Sequence, residues 1–314
     1  MKLIYIAGDN RSGSTMLDMM LAGHSEITSI GEAHQLRAYA TKDIRYYQQT
    51  VGDRAHEMIC FCGMPLESCQ FWQGVQEKLG CSLETLDLKP FFLRTDLKCR
   101  PIKLIQKKIL WTIFHLYPSL YSMPAIHRAL GGDRIGVESR RLYEAVAKVS
   151  GKTYVLDSSK SLHRMHSIAN QMIQDIKVIL LCRDYKGNVY SKVKRGVPLL
   201  KAALQWKWTV QQMEKYSQKL PKDNVLRVKY EDICVHTESE MQRILEFLKL
   251  SFEESVLKRN IDELHHLGGS PSKYNGLDKR IMIDNTYESY LTDAQRFWLY
   301  RVVREEARIW GYAS

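Results

Sequence analysis

The stretch from Lys2 to Leu21 constrains this chain more than any other. An apolar run, Leu3-Ile4-Tyr5-Ile6-Ala7, passes into Gly8-Asp9-Asn10-Arg11-Ser12-Gly13-Ser14-Thr15 and then into Met16-Leu17-Asp18-Met19-Met20-Leu21, which has helical character. A short apolar run ending at a glycine turn reads as a core strand, and strand, turn and helix in that order make an anion cradle. The first amides of the helix lack intrahelical partners, and the helix dipole adds partial positive charge. Ser14 and Thr15 add hydroxyl donors. The glycine spacing imitates the Gly-x₄-Gly-Lys-[Ser/Thr] loop of nucleotide triphosphatases, but Ser14 stands where that loop requires lysine. That substitution counts against ATPase or kinase chemistry. Arg11 supplies instead a planar fork suited to phosphate or sulfate. A plain Gly/Ser turn between a strand and a helix is the bland alternative for this stretch taken alone.

Other strand-like runs at 153–157, 176–182 and 225–228 are each followed by helical periodicity. This alternation predicts an α/β fold with a mostly parallel sheet between helical layers. Unbroken apolarity at 176–182 fits a central strand covered on both faces. Residues 33 to about 150 change character, with helix-like segments at Pro101 to Tyr117 and Ile135 to Val149 and no clear strand. We read them as a helical insertion, rich in aromatic and basic residues, within a single domain spanning 1–314. Helical padding is the alternative reading of that segment. The last helix, Thr292 to Trp310, opens on the capping-box pattern Thr292-x-x-Gln295 and stops before Gly311.

A second anion element follows the strand ending at Leu181-Cys182. There, Arg183-Asp184-Tyr185-Lys186-Gly187-Asn188-Val189-Tyr190-Ser191 begins at the carboxyl edge of the sheet, where crevices in such folds open. If the residues after Asp184 are helical, Ser191 lies two turns on and joins Arg183 on one anion, with Lys192, Lys194 and Arg195 adding positive potential. Two anion sites on neighbouring strands suit a ligand phosphorylated at two separated positions. Trp206 and Trp208 lie in a periodic segment from Leu199 to Met213, and Trp206 is assigned to packing; Tyr230 is ambiguous between packing and ligand contact.

These residues resemble the sulfotransferases that use 3′-phosphoadenosine-5′-phosphosulfate (PAPS), and in particular a bacterial-type branch related to carbohydrate and tyrosylprotein sulfotransferases. In that family the 5′-phosphosulfate loop reads Arg-Ser-Gly-[Ser/Thr]-[Ser/Thr], as Arg11-Ser12-Gly13-Ser14-Thr15 does here. An Arg and a Ser eight positions apart hold the 3′-phosphate, matched by Arg183 and Ser191. Asp157-Ser158-Ser159-Lys160 and Tyr230-Glu231-Asp232 resemble elements that follow further strands, and Gly31-Glu32 resembles the segment whose glutamate is the base. Cys60-x-Cys62-Gly63-x-Pro65 with Cys69 and Phe71-Trp72, and His265 through Pro271, also match the branch. The late loop reads Gly269-Ser270-Pro271-Ser272-Lys273 where the branch has Gly-Asn-Pro-x-Arg, so its contacts depart from the pattern.

The resemblance implies a P-loop-like three-layer fold and transfer of a sulfuryl group from PAPS to an acceptor hydroxyl, leaving 3′,5′-bisphosphoadenosine (PAP). Arg11, Ser12, Gly13, Ser14, Thr15, Met16, Arg183, Ser191, Ser270 and Lys273 would hold the nucleotide. Arg11 and Lys160 would neutralise charge, and Glu32 would take the acceptor proton, with His34, His24 and, more remotely, Glu138 as competitors. Arginine and lysine supply the charge, so the transfer calls for no metal. The acceptor stays open among polysaccharide, glycolipid, small metabolite and peptide tyrosine, with the basic insertion favouring an acidic glycan. A nucleotide kinase, a non-catalytic PAP-binding module and a nucleic-acid-binding protein are the rivals. The last rests only on the net charge of +11, which is spread rather than clustered.

Seven cysteines form an odd set. Cys99, Cys182 and Cys234 sit alone, as reduced buried thiols would, whereas Cys60, Cys62, Cys69 and Cys81 are spaced for a zinc knuckle, a disulfide pair or nothing. A reducing, cytoplasmic setting is expected. No apolar run approaches the ~20 residues of a membrane span.

Overall fold

The computed structural model describes residues 1–42, 59–89, 101–258, 264–269, 283 and 285–312. Five strands form one sheet: β1 (Lys2–Gly8), β2 (Ile27–Gly31), β3 (Tyr154–Lys160), β4 (Ile176–Cys182) and β5 (Val225–Lys229), in the order β2-β3-β1-β4-β5. Every neighbouring pair is parallel. Nine helices matter for the argument: α1 (Ser14–Leu21), α2 (Gln70–Leu79), α3 (Pro101–Leu116), α4 (Gly132–Ser150), α5 (Leu162–Met172), α6 (Tyr185–Val193), α7 (Leu199–Ser217), α8 (Thr237–Leu248) and α9 (Asp293–Ile309).

The period of two along a strand divides the core into layers. Leu3, Tyr5 and Ala7 of β1, with Val155, Val178 and Leu180, pack on one face against Trp72, Leu142, Met165, Trp206 and Met213. Ile4, Ile6, Leu156, Ile179 and Leu181 face the other way, onto Leu17 and Met20 of α1 and Met241, Ile244 and Leu248 of α8. Each such aliphatic side chain, fully removed from water, contributes about 1.5–3 kcal/mol before conformational entropy is set against it. The mostly parallel, three-layer architecture expected from the sequence is the one found.

Strand β2 is an addition to that expectation. Its sequence, Ile-Thr-Ser-Ile-Gly, is short and half polar, so no apolar run marks it. It forms because Ser29 turns inward to donate its hydroxyl to the buried Asp18 carboxylate at 2.5 Å, while Ile27 and Ile30 fill the two cores. The C-terminal helix begins as the capping pattern predicts: Thr292 Oγ1 accepts from Gln295 N, and Gln295 Oε1 accepts from Thr292 N. Trp206 is fully buried, and its indole N–H donates to the Arg183 carbonyl at 2.9 Å, so its packing role includes holding the end of β4.

A buried arginine ties the segment before β3 to the sheet. The Arg164 guanidinium on α5 donates to Asp157 Oδ2 at 2.9 Å, Tyr143 Oη at 2.8 Å, Ser139 Oγ at 2.7 Å and the Leu88 carbonyl at 3.0 Å. Four acceptors around its two terminal nitrogens are what make a charge this deeply buried tolerable. Among the described residues, no helix is long and apolar enough to cross a membrane. Cys182 and Cys234 are buried free thiols, and Cys99 lies outside the described residues.

Candidate active site

The carboxyl ends of β1, β2, β3 and β4 converge on one edge of the sheet, and the candidate residues lie there. Arg11 and Gly13 both take positive φ, 70° and 90°, which folds the loop tightly before α1. A Cβ at Gly13 would sit 2.4 Å from the Tyr230 ring, so only glycine lets that ring reach the loop. Tyr230 carries on its ring the Arg183 guanidinium, 4.7 Å from the centroid, as a cation–π contact. One aromatic ring therefore spans the two anion elements that are 170 positions apart in sequence.

Electrostatics point the same way. The Arg11 guanidinium is held below the ordinary arginine range, first by burial and then by repulsion from Arg195 and Arg183, with Glu32 acting oppositely. The repulsion that these two cations exert on the half-buried Arg11 is one that an anion would relieve. The segment after Asp184 is helical, as expected: Asp184 caps α6 by accepting from Lys186 N at 2.8 Å, and Ser191 lies on that helix. The helix is docked on the first loop by Asn188 Nδ2, which donates to the Asn10 carbonyl at 2.9 Å, and by the ion pair of Lys192 with Asp9. Lys192 is thus a brace for the loop, and Arg195 is the member of that basic group that reaches the Arg11 environment.

Strand β3 ends in a bulge. Tyr5 pairs with Asp157 and Ala7 with Lys160, leaving one extra residue on β3, and Lys160 itself takes a φ of 66°. Bulges of this kind re-aim side chains. Here the result is an ion pair between the Lys160 ammonium and Glu32 Oε1, with both side chains about nine-tenths buried. The Gln35 amide donates to Glu32 Oε2, and His34 Nε2 lies 3.9 Å from that oxygen. Asp157 Oδ1 accepts from Ser159 N at 2.8 Å and Ser159 Oγ at 2.5 Å, and Ser159 Oγ in turn accepts from His34 N at 3.1 Å. Asp157 therefore links the arginine network of the fold to the loop that carries Glu32.

Gly31, at φ 67°, lets a late segment approach: a Cβ there would stand 2.3 Å from the Leu267 carbonyl oxygen. Leu267 N donates to the Ile30 carbonyl at 3.1 Å, and Glu32 N donates to the Leu267 carbonyl at 2.8 Å, so this segment lies along the end of β2. His266 Nε2 is 3.1 Å from Asp18 Oδ2. Burial pushes the Asp18 carboxyl up, but its His266 and serine partners outweigh that and hold it below the usual carboxylate range. A Cβ on Gly269 would fall 3.2 Å from Thr15 Oγ1, which brings the late segment to the first loop as well; Ser270 and Lys273 lie outside the described residues.

The competitors of Glu32 are placed differently from one another. His24 is buried at the far end of β2's approach, with Nε2 3.0 Å from the Ser251 carbonyl and Nδ1 accepting from Glu26 N. His34 is beside Glu32, and its imidazole is pushed well below the normal histidine range by burial, then by Lys89, Lys160 and Arg164. Glu138 is engaged by Arg134 and Asp87 N. The sequence reading missed the roles of Asp18, Arg164, His266 and Asn188, whose significance rests on contacts across the chain. A cleft of about 200 Å³ is lined by Arg183 together with Asp184, Gly187, Glu231 and Tyr287 among others.

A parallel sheet between helical layers, with a tight glycine loop leading from β1 into α1, is a P-loop-like three-layer fold. Residues 121–254 match the model of the sulfotransferase family. Over the whole chain the fold resembles the sulfotransferase domain from the Synechococcus PCC 7002 olefin synthase, with a TM-score of 0.60 at 16% identity, covering 100% of this chain and 95% of that one. It also resembles the sulfotransferase domain from the curacin biosynthetic pathway, with a TM-score of 0.57 at 16% identity, covering 99% and 98%. Over residues 121–254, less than half of its length, the chain is similar to the sulfotransferase family. In sequence it is similar to protein-tyrosine sulfotransferase A of Caenorhabditis elegans, 27% identical over 95 residues, which are 28% of this chain and 25% of that protein. The protein-tyrosine sulfotransferase of Drosophila melanogaster is 26% identical over 102 residues, 30% of this chain and 20% of that protein. The matched region thus spans a quarter or less of these relatives.

Proposed function

We propose that the chain transfers a sulfuryl group from PAPS to an acceptor hydroxyl by in-line displacement, with Glu32 as the base. The observation that carries this reading is the Tyr230 ring, packed against Gly13 on one side and under the Arg183 guanidinium on the other. It brings the two anion elements close enough to serve the two ends of one bisphosphorylated nucleoside. The donor set fits such a ligand: Arg183 and Arg195 both repel the Arg11 guanidinium, and Ser12 Oγ is buried with no hydrogen-bond partner among the described residues.

PAPS, when bound, supplies the sulfuryl group and a stable phosphate leaving group. The protein's own part is positioning and electrostatics, as in phosphoryl transfer. Arg11, with the amides and hydroxyls of Ser12, Gly13, Ser14, Thr15 and Met16, would hold the 5′ end, and Arg183 and Ser191 the 3′-phosphate. Lys160 and Gln35 each donate to one oxygen of Glu32 and so orient it, and that carboxylate would accept the hydroxyl proton at the strand edge. The insertion at about 33–150 would form the acceptor side of the same single domain. A glycan or small-molecule hydroxyl is the favoured acceptor, and the tyrosine acceptor of the matched relatives is the first alternative to try. Ser270 and Lys273 are proposed to complete the nucleotide site, because Gly269 just before them abuts Thr15.

The test is thermal shift followed by turnover. PAP at about a hundredfold over its Kd should stabilise the protein by roughly 2.7 kcal/mol, and ATP with magnesium hardly at all. Labelled PAPS with a panel of glycan, small-molecule and tyrosyl acceptors should then yield labelled product. Stabilisation by ATP with magnesium but not PAP would favour a nucleotide kinase instead.

A further inference from the structure

Away from the nucleotide cleft, the four clustered cysteines separate into two kinds. The Sγ atoms of Cys60, Cys62 and Cys69 gather with an imidazole nitrogen of His265, all four ligand atoms within 4.8 Å of one another; Cys81 is not in the group. We propose that these four side chains bind one zinc ion as a closed structural site. The proposal stands apart from the reading of donor and acceptor given above.

The distances suit zinc. Tetrahedral geometry with Zn–S of about 2.3 Å and Zn–N of about 2.0–2.1 Å requires S···S near 3.8 Å and S···N near 3.5 Å. Cys62 Sγ and Cys69 Sγ are 3.7 Å apart, and His265 Nδ1 is 3.6 Å from Cys60 Sγ and 3.3 Å from Cys69 Sγ. The three cysteines are free thiols. A soft sulfur-rich set with one imidazole selects zinc over the hard divalent ions, and four protein ligands leave no open coordination position for catalysis. Binding is redox-neutral: the thiol protons pass to water, and the sulfur and imidazole lone pairs bond the metal.

Local structure explains how one intervening residue suffices between the first two ligands. Cys60 N donates to the Met64 carbonyl at 2.8 Å and Gly63 N to the Cys60 carbonyl at 2.9 Å, closing a tight turn that Ile59 and Pro65 bridge. Cys69 then sits at the N-terminus of α2, whose Phe71 ring stacks on the His265 ring at 4.4 Å and 3°. His265 is followed by His266, which bonds Asp18, and Leu267, which pairs with the end of β2. The metal would therefore staple the 60–69 turn to the segment that lies against Glu32.

The full chain, purified without chelators, should carry about one zinc by elemental mass spectrometry. Cys60→Ser, Cys69→Ser and His265→Ala should each lose it at least tenfold faster to a competing chelator, while Cys81→Ser should behave as the parent. Because a ligand variant that fails to fold would leave the question to the parent chain, cobalt exchanged into the parent should give thiolate charge-transfer absorption and the strong visible bands of a tetrahedral site. A folded parent chain that holds no zinc and takes up cobalt without those bands overturns the proposal. So does a disulfide among Cys60, Cys62 and Cys69 in the purified chain, or zinc retained undiminished in folded Cys69→Ser.

Discussion

The ammonium of Lys160 and the carboxylate of Glu32 form a buried ion pair across the ends of β3 and β2, made possible by the bulge and positive φ that turn Lys160 toward it. Removing one member of a buried pair leaves the other without its partner, which is costly.

Replacing Glu32 by Gln keeps the shape but removes the base and leaves one acceptor oxygen where there were two, for Lys160 and Gln35. Turnover with PAPS is expected to fall by roughly 10²–10⁴-fold, while PAP still raises the melting temperature as in the parent. Parallel labelled-transfer and thermal-shift measurements check this, and undiminished turnover would move the base to another residue, His34 first.

Arg183→Ala removes the cation that rests on Tyr230. Loss of a charge-assisted bond worth about 1.5–3 kcal/mol predicts PAP binding weakened by roughly 10–150-fold. Calorimetry with PAP and with 5′-AMP distinguishes the ends of the ligand, because binding of the nucleotide that lacks a 3′-phosphate should change little.

Gly31→Ala places a methyl group against the Leu267 carbonyl and an L-residue at φ 67°. The backbone conformation alone costs about 1–3 kcal/mol, and the overlap displaces either Leu267 or Glu32. Lower stability in urea, with turnover reduced beyond what the folded fraction explains, is the expected outcome.

Arg164→Met leaves Asp157 buried without its charge partner and frees three further acceptors. A loss of about 3–5 kcal/mol is expected, read as a shift of the urea midpoint. The double variant Arg164→Met with Asp157→Leu should recover part of it, since no uncompensated charge remains.

Acid sensitivity should begin at the histidines. Burial, then His127 and Lys219, bring His166 down to about 4, while burial depresses His127 and His34 in the same direction. Unfolding lets these imidazoles take up protons, so their stabilising contribution is full above the unfolded value of about 6.5 and is lost as pH falls toward about 4. Urea midpoints should therefore decline across that window, and His166→Gln should flatten the decline.

Much of the fold was legible because strands β1, β3, β4 and β5 are apolar runs followed by periodic helices, a signal that local spacing carries in full. Arg11, Gly13 and Arg183 could be singled out as candidates for the same reason, since the loops that carry them follow strands. Strand β2 was not, because its inward polar residue, Ser29, is explained only by Asp18. Lys192 read as free positive potential, and only its partner Asp9 shows it to be a brace.

The amino-acid order alone determined a parallel α/β chain with two basic loops at strand ends, because hydrophobic period and glycine placement act over a few residues. Tertiary structure alone decided that Tyr230 lies between those loops, that Lys160 faces Glu32, and that His265 joins three cysteines some two hundred positions earlier. Such meetings are set by how the sheet orders its strands and how the late segment packs back on β2, and no local spacing records them.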